Sequence, residues 1–561
     1  MKLPPRTHWG KCSALAIATL ALAPGTAVAQ TTLVVDADGQ GTATDCNAPT
    51  PAFSTISTAI AAATAGDTVL VCPGTYQETV NFLGKAVTVT SKEGPEVTIV
   101  DGNLMGSVVA FVSGEGSKSV LNGFTLQNGR PDFGPPSFGN GGGIVVRNAS
   151  PTITANILVN NQACAGPGIS ISSGSPLIQG NIIFGNFQAN CTGGVGGGGI
   201  SISSGTSADA PQILDNVIAY NFMGSADGGG ISVFAGSPTI SGNIISANIA
   251  TGLSPCARGG GIALANSLAA RVIQNLITGN GAGCGGGVFT QFGTSGTRFV
   301  NNTIADNDSE QGSGIAFGAF VTQNEVVNNI VVAGAGQFAI LCQGPGDPPR
   351  FRFNNVFSPS GTNYGGMCAD QTGLNRNISA DPLFVDAVNG EYHLQPRSPS
   401  IDDGDNTAPE LSTTDLDGNP RVVDGTGHCK AVIDMGVYEF ATQPSQLPFT
   451  DDPLGVQVTP VRAIHFNELR TAINARRALF GLAAFAFTDP TLISTMPVQA
   501  VHLTELREAL AQAYQAARRS TPTYSEPTIT SGETTIKASH ICELRAAVRA
   551  LRTRAAESLV R

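Results

Sequence analysis

Tryptophan is almost absent from this 561-residue chain, and its one copy, Trp9, lies in the N-terminal run. Charge is scarce as well, with Asp, Glu, Lys and Arg making up 13% of residues. From Val120 to Ser360 there is no His and no Lys, only seven Arg, seven Asp and two Glu in 241 residues. An acidic chain of this kind argues against a nucleic-acid partner, and the commonest sugar-stacking side chain is missing. In that long stretch only Arg could serve as the base of a β-elimination. After residue 29 no apolar run approaches the roughly 20 residues that a membrane span needs.

The start of the chain reads as a secretion signal, residues 1–29. Lys2, Arg6 and Lys11 precede an apolar run, Cys12 to Leu22, and Ala27-Val28-Ala29 has the small-residue pattern of a cleavage site. The mature protein is expected to begin at Gln30 and to be periplasmic or extracellular. Losing the three basic residues takes the formal charge from −11 to −14.

What the chain has in abundance is glycine, 69 residues of it, which suits an architecture rich in tight turns. Glycine-led strands recur: GGGIVV at Gly141, GPGISI at Gly166, GGGISI at Gly197, GGGISV at Gly228, GGGIAL at Gly259, GGGVFT at Gly285 and GSGIAF at Gly312. Between them runs an Asn series, Asn156, Asn181, Asn216, Asn243, Asn275, Asn302, Asn329 and Asn355, at intervals of 25 to 35 residues. A second Asn follows five residues after each of the first six: Asn161, Asn186, Asn221, Asn248, Asn280 and Asn307. Such a period predicts one supersecondary unit per coil of a solenoid. Within a unit, as in SPTISGNIISAN from Ser237 to Asn248, aliphatic residues alternate with small polar ones, the pattern of short strands. Coils stacked in register bury one aliphatic column, and their Asn side chains form a structural ladder along the stack.

These repeats, over Thr31 to Phe440, resemble the pectate-lyase-like superfamily, which implies an all-β fold: a right-handed, single-stranded parallel β-helix solenoid. FSTISTAIAAATAGDTVLVCPGTYQETV, from Phe53, resembles the N-terminal cap of such proteins and implies a helix from about Phe53 to Ala63 over the first coil. The segment from Asp381 to VIDMGVYEF, ending at Phe440, resembles the terminal region of many secreted bacterial β-helix proteins, and a role in capping the last coil suits it. Its carboxylates, Asp402, Asp403, Asp405, Asp415 and Asp417, are read as turn formers. Calcium is the alternative, and no other cofactor is expected. The chain thus divides into the leader, a β-helix with its cap at 30–378, a closing region at 379–444 and a tail at 445–561.

Without Cys12, ten cysteines remain, an even number suited to an oxidising compartment. Cys164 and Cys191 are 27 residues apart, and Cys256 and Cys284 are 28 apart, one coil in each case. Adjacent coils about 4.8 Å apart fall within the ~4.4–6.8 Å Cα range of a disulfide. Cys342 with Cys368 and Cys46 with Cys72 are the next expected pairs. Cys429 and Cys542 are left without an assigned partner.

The fold hosts lyases, hydrolases, esterases and adhesins, so chemistry has to come from side chains. Resemblance to the pectate lyases implies an Asp cluster for calcium with an Arg or Lys base, and no such cluster recurs at coil spacing here. The densest acidic run is Asp306, Asp308 and Glu310, with Arg298 nearby. It is read first as a solvated loop, and these four residues are the weak catalytic candidates. GRPDF at Gly129 resembles fragments of pectin methylesterase signatures, but it sits in a Pro- and Gly-rich insertion without a second carboxylate and is read as a loop. Phe residues fall mostly at strand positions and are read as core. The body from Gln30 to Pro444 holds 14 basic and 31 acidic residues and would repel an anionic polysaccharide such as pectate.

The tail carries three copies of H-x-x-E-L-R: His465, Glu468 and Arg470; His502, Glu505 and Arg507; His540, Glu543 and Arg545. Each His is read as the imperfect cap of a helix with its Glu three residues on, metal binding being the alternative. A strand-like piece and an apolar-striped helix per copy imply a small, mainly helical domain. Together these features give a secreted or surface-associated β-helix protein, non-catalytic, for binding or structural use. Its expected partner is an extracellular carbohydrate or protein. The alternative is a polysaccharide lyase or glycoside hydrolase.

Overall fold

The computed structural model describes residues 30–551 apart from 133–138, 190, 192–195, 205, 207, 253–255, 292, 319–320, 346, 426–430, 441–448, 452–453 and 455–459. The expected leader lies outside these residues, as does Phe133 of GRPDF. Parallel strands stack coil on coil into one 12-stranded, two 11-stranded and one 6-stranded sheet. A typical coil contributes Thr239–Ser241, Ile244–Ser246, Ile249–Ala250 and Ile262–Ala265, one strand to each sheet. Strands this short carry one or two inward side chains, so the core is a column: Ile213, Ile240, Val272 and Phe299 are consecutive partners and fully buried. Strand alternation sends their neighbours outward.

Glycine leads the Ile231–Phe234 strand for a steric reason. At Gly228 φ is +77°, and a Cβ there would lie 2.6 Å from the Ile231 carbonyl oxygen and 2.7 Å from the Ser232 Cβ. Only glycine lets the turn fold down on the outward face.

Both Asn series run inside the turns as buried ladders. Asn243 Nδ2 donates to Asn275 Oδ1 at 2.9 Å and to the Ile213 carbonyl at 2.8 Å, while Asn216 Nδ2 donates to Asn243 Oδ1 at 3.0 Å. At the last coil the expected member is replaced: Asn329 donates to Asn354, and Asn354 to Asn377. Strand register places Asn355 opposite Ile330, one position beyond the ladder, where its Nδ2 donates to Ser400 Oγ.

The cap helix α1, Ile56–Ala62, is shorter than expected, because the Thr55 hydroxyl accepts the Thr58 amide and starts it there. Its Ile56 and Ile60 join Val35 and Val69 in the core of the first coils. Four disulfides, Cys46–Cys72, Cys164–Cys191, Cys256–Cys284 and Cys342–Cys368, staple neighbouring coils at Cα separations of 5.2 to 5.9 Å. Cys542 is also disulfide-bonded, and Cys429 lies outside the described residues.

The closing region lies along the flank of the helix as a clasp, where an end cap was expected. Ala408 and Leu411 cover Ile273, Val300 and Val327, and Tyr392, Val437 and Tyr438 cover Leu276 and Ala305. Outward positions in these coils are apolar, so strands such as Glu325–Val327 bury residues on both faces. One coil earlier the outward partner of Ile273 is Ser241. Inside the clasp the buried guanidinium of Arg421 lies 3.2 Å from Glu439. Burial pushes Glu439 up to about 9 and Asp434 up to about 7.

In the tail the described residues form helices α2 (Ala463–Leu479), α3 (Ala500–Ala516) and α4 (Ala538–Ala550), without the expected strand-like pieces. The His residues are not the caps: Arg462, Gln499 and Lys537 hold that place, and each His is the third helical residue. Among the described residues no helix is long and apolar enough to cross a membrane.

Candidate functional site

The six-stranded sheet carries one lane in a single register: Gln162, Phe187, Phe222, Ile249, Gly281 and Asp308. Phe187, Phe222 and Ile249 are 38%, 41% and 44% exposed, so the core assignment of these Phe residues is corrected. In the strands Phe222–Met223 and Ile249–Ala250 the second residue is buried, and alternation turns the first one out. Beside the lane, the residue before each second-ladder Asn makes the turn. At Tyr220 and Asp306 that residue has φ of +56° and +55°. Tyr220 is 44% exposed, with its ring 5.2 Å from that of Phe184. Buried Asn221 fixes the turn that presents it, donating to Asn248 at 2.9 Å.

Towards the other end of the lane stand three of the four sequence candidates, Asp306, Asp308 and Glu310. Asp306 accepts a 2.6 Å hydrogen bond from the Tyr392 hydroxyl of the clasp, whereas Asp308 accepts from Gln337 Nε2 of the next coil at 2.8 Å. Glu310 is exposed further along the Asp308–Gln311 strand. Arg298 belongs to the 12-stranded sheet, away from this lane, and donates to Glu410 at 2.7 Å. Its neighbour Arg271 shares that carboxylate at 2.9 Å. The clasp brings Glu410 over two arginines that stacking places side by side, so Arg298 serves as an ion-pair partner.

The five clasp carboxylates are likewise dispersed. Asp402 accepts the Gly425 amide, Asp403 pairs with Arg376, Asp405 holds Thr407 and Arg352, and Asp415 takes the amides of Asp417 and Asn419. Asp417 lies 2.7 Å from His393 Nε2. Burial alone would lower His393, but hydrogen bonds to Asp417 and Glu391 outweigh it and raise it to about 9. Among the described residues no three of these carboxylates gather at ligand distance. The one close group, Asp36 with Cys46 and Cys72, has both sulfurs in a disulfide.

Two family models match parts of the chain. Residues 190–356 match a right handed beta helix region, and residues 81–255 match a protein of unknown function (DUF1565). No curated protein matches. Among solved structures, pectate lyase Pel9A is similar at 14% identity and a TM-score of 0.39, covering 73% of this chain and 96% of its own. XylC in complex with xylose is similar at 13% and 0.38, covering 63% and 87%. The Azotobacter vinelandii mannuronan C-5 epimerase AlgE6 A-module is similar at 14% and 0.26, covering 58% and 94%. The parallel stacking of its coils and the family match over residues 190–356 identify the body of this chain as a right-handed parallel β-helix.

Proposed function

We propose that this is a secreted, non-catalytic β-helix scaffold that binds an extracellular partner along the exposed lane. The observation that carries the reading is the in-register stack of Phe187, Phe222 and Ile249, turned to solvent beside Tyr220. Side chains that are costly to expose and regular in placement mark an interaction surface. Against catalysis stands the engagement of three of the four candidate residues by structural partners. Glycoside hydrolysis needs two facing carboxyls about 5–9.5 Å apart on either side of a bond. Asp306 and Asp308 instead turn to different partners, and Arg298 is engaged by Glu410. Four disulfides suit an oxidising, extracytoplasmic setting.

Two measurements test this. Incubated with pectin, polygalacturonate or alginate plus calcium, the mature protein is expected to release no unsaturated product, reducing ends or methanol above a no-protein control. Turnover abolished by Asp308→Asn or Arg298→Ala would replace the reading with the lyase or hydrolase one. In the second, fluorescent mature protein is expected to co-sediment with the envelope fraction of the producing organism, and the double variant Phe187→Ala/Phe222→Ala is expected to stay in solution.

A further inference from the structure

We infer that the ligand of the lane is a linear, uncharged polysaccharide lying along the axis of the helix, an inference that rests on the binding reading above. Phe187 and Phe222 are Cα partners on neighbouring coils and Ile249 follows in the same register. Apolar side chains therefore recur in a straight line about every 4.8 Å. A surface that repeats at a fixed interval is matched by a chain of like units.

The chemistry of the lane agrees with that shape. Aromatic faces accept the C–H face of a sugar ring. Gln188, whose Nε2 donates to Ser225 Oγ at 2.8 Å, forms a polar border beside Phe187 that suits hydroxyl groups. Charge decides between ligand types. From Gln162 to Thr251 there are three Asp (Asp209, Asp215 and Asp227) and no Lys, Arg or Glu. Nothing in these coils would neutralise a uronate or a sulfate, and the acidic body would repel either.

Among the described residues, the clasp does not reach this patch. The clasp covers outward apolar positions on later coils, and the cluster it forms with Leu276 and Ala305 extends no further back than Ile244 among the described residues. Phe187, Tyr220 and Phe222 remain exposed on the coils before it.

Affinity gel electrophoresis of the mature protein tests the inference, with hydroxyethyl cellulose, xylan or galactomannan in the gel, and separately polygalacturonate or alginate. At least one uncharged polymer is expected to retard the protein and neither anionic one. Phe187→Ala/Phe222→Ala is expected to weaken retardation by about tenfold or more, while Phe222→Tyr preserves it. Both side chains are exposed, so an unchanged melting temperature will show that the variants are folded. Retardation by an anionic polymer, or by none of the uncharged ones, overturns the inference. If envelope retention then still depends on Phe187 and Phe222, the binding reading survives with a ligand of another class, a protein included. If retention is indifferent to them, both readings fall.

Discussion

The guanidinium of Arg545, in the last repeat of the tail, lies over the ring of Phe449, in the first, 4.8 Å from its centroid. Arg470 stands in the same relation to Phe487 of the second repeat at 5.1 Å, and Arg507 to Tyr524 of the third at 4.1 Å. Each Arg also donates to the carbonyls that follow its aromatic partner: Arg470 to Thr488 and Asp489, Arg507 to Glu526, and Arg545 to Thr450 and Asp451. The Arg of one repeat thus holds the start of the next, and the third holds the first. The three copies close into a ring.

Arg545→Ala is expected to open that ring at a cost of about 2–4 kcal/mol, through lost cation–π contact and unsatisfied carbonyls. Hydrogen exchange should rise in α2, in the first repeat, as well as in α4. A rise confined to α4 would mean that the repeats are independent units.

His502→Ala tests what the conserved spacing within each copy does. His502 Nδ1 accepts the Gln499 amide at 3.1 Å, so its proton sits on Nε2, which faces Asp489 at 3.2 Å. The substitution is expected to remove about 1–2 kcal/mol from the start of α3, read as lowered protection of its first turn. Elemental analysis should find the same zinc content before and after. Stoichiometric zinc lost with the substitution would make the tail a metal-binding module.

His393 gives the clasp a pH dependence whose sign follows from its raised pKa of about 9. The stabilisation is complete below the ordinary His value and is lost as pH rises through about 9, where the ring gives up its proton between Glu391 and Asp417. Thermal stability of the mature protein is expected to fall between pH 7 and pH 10, and His393→Gln to flatten that fall. An NMR titration placing His393 near its ordinary value would sink the prediction.

Non-reducing peptide mapping is expected to recover the four coil-to-coil pairs. It should also link Cys542 to Cys429, the one cysteine of the expected mature chain left for it. Replacing Cys256 and Cys284 together with Ala should cost up to a few kcal/mol while the parallel stack persists, because its Asn ladders and aliphatic column do not depend on the staple.

Much of the β-helix could be read from spacing alone. In a solenoid, residues one period apart become neighbours, so the Asn series and the cysteine intervals translate directly into contacts such as Asn243 to Asn275 and Cys164 to Cys191. That some strands bury both faces, as at Val272 and Ile273, was not part of that reading. Which segment covers them was not in the period, because Ala408 and Leu411 reach Ile273 and Val300 across more than a hundred residues. Asn354 displaced Asn355 because strand register, fixed by the whole coil, decides which side chain points inward. The outward turn of Phe222, the diverging partners of Asp306 and Asp308, and the closure of the tail by Arg545 have the same origin. Residue type and interval specify the repeating local contact, but orientation across coils and contacts between distant segments arise only when the chain packs against itself.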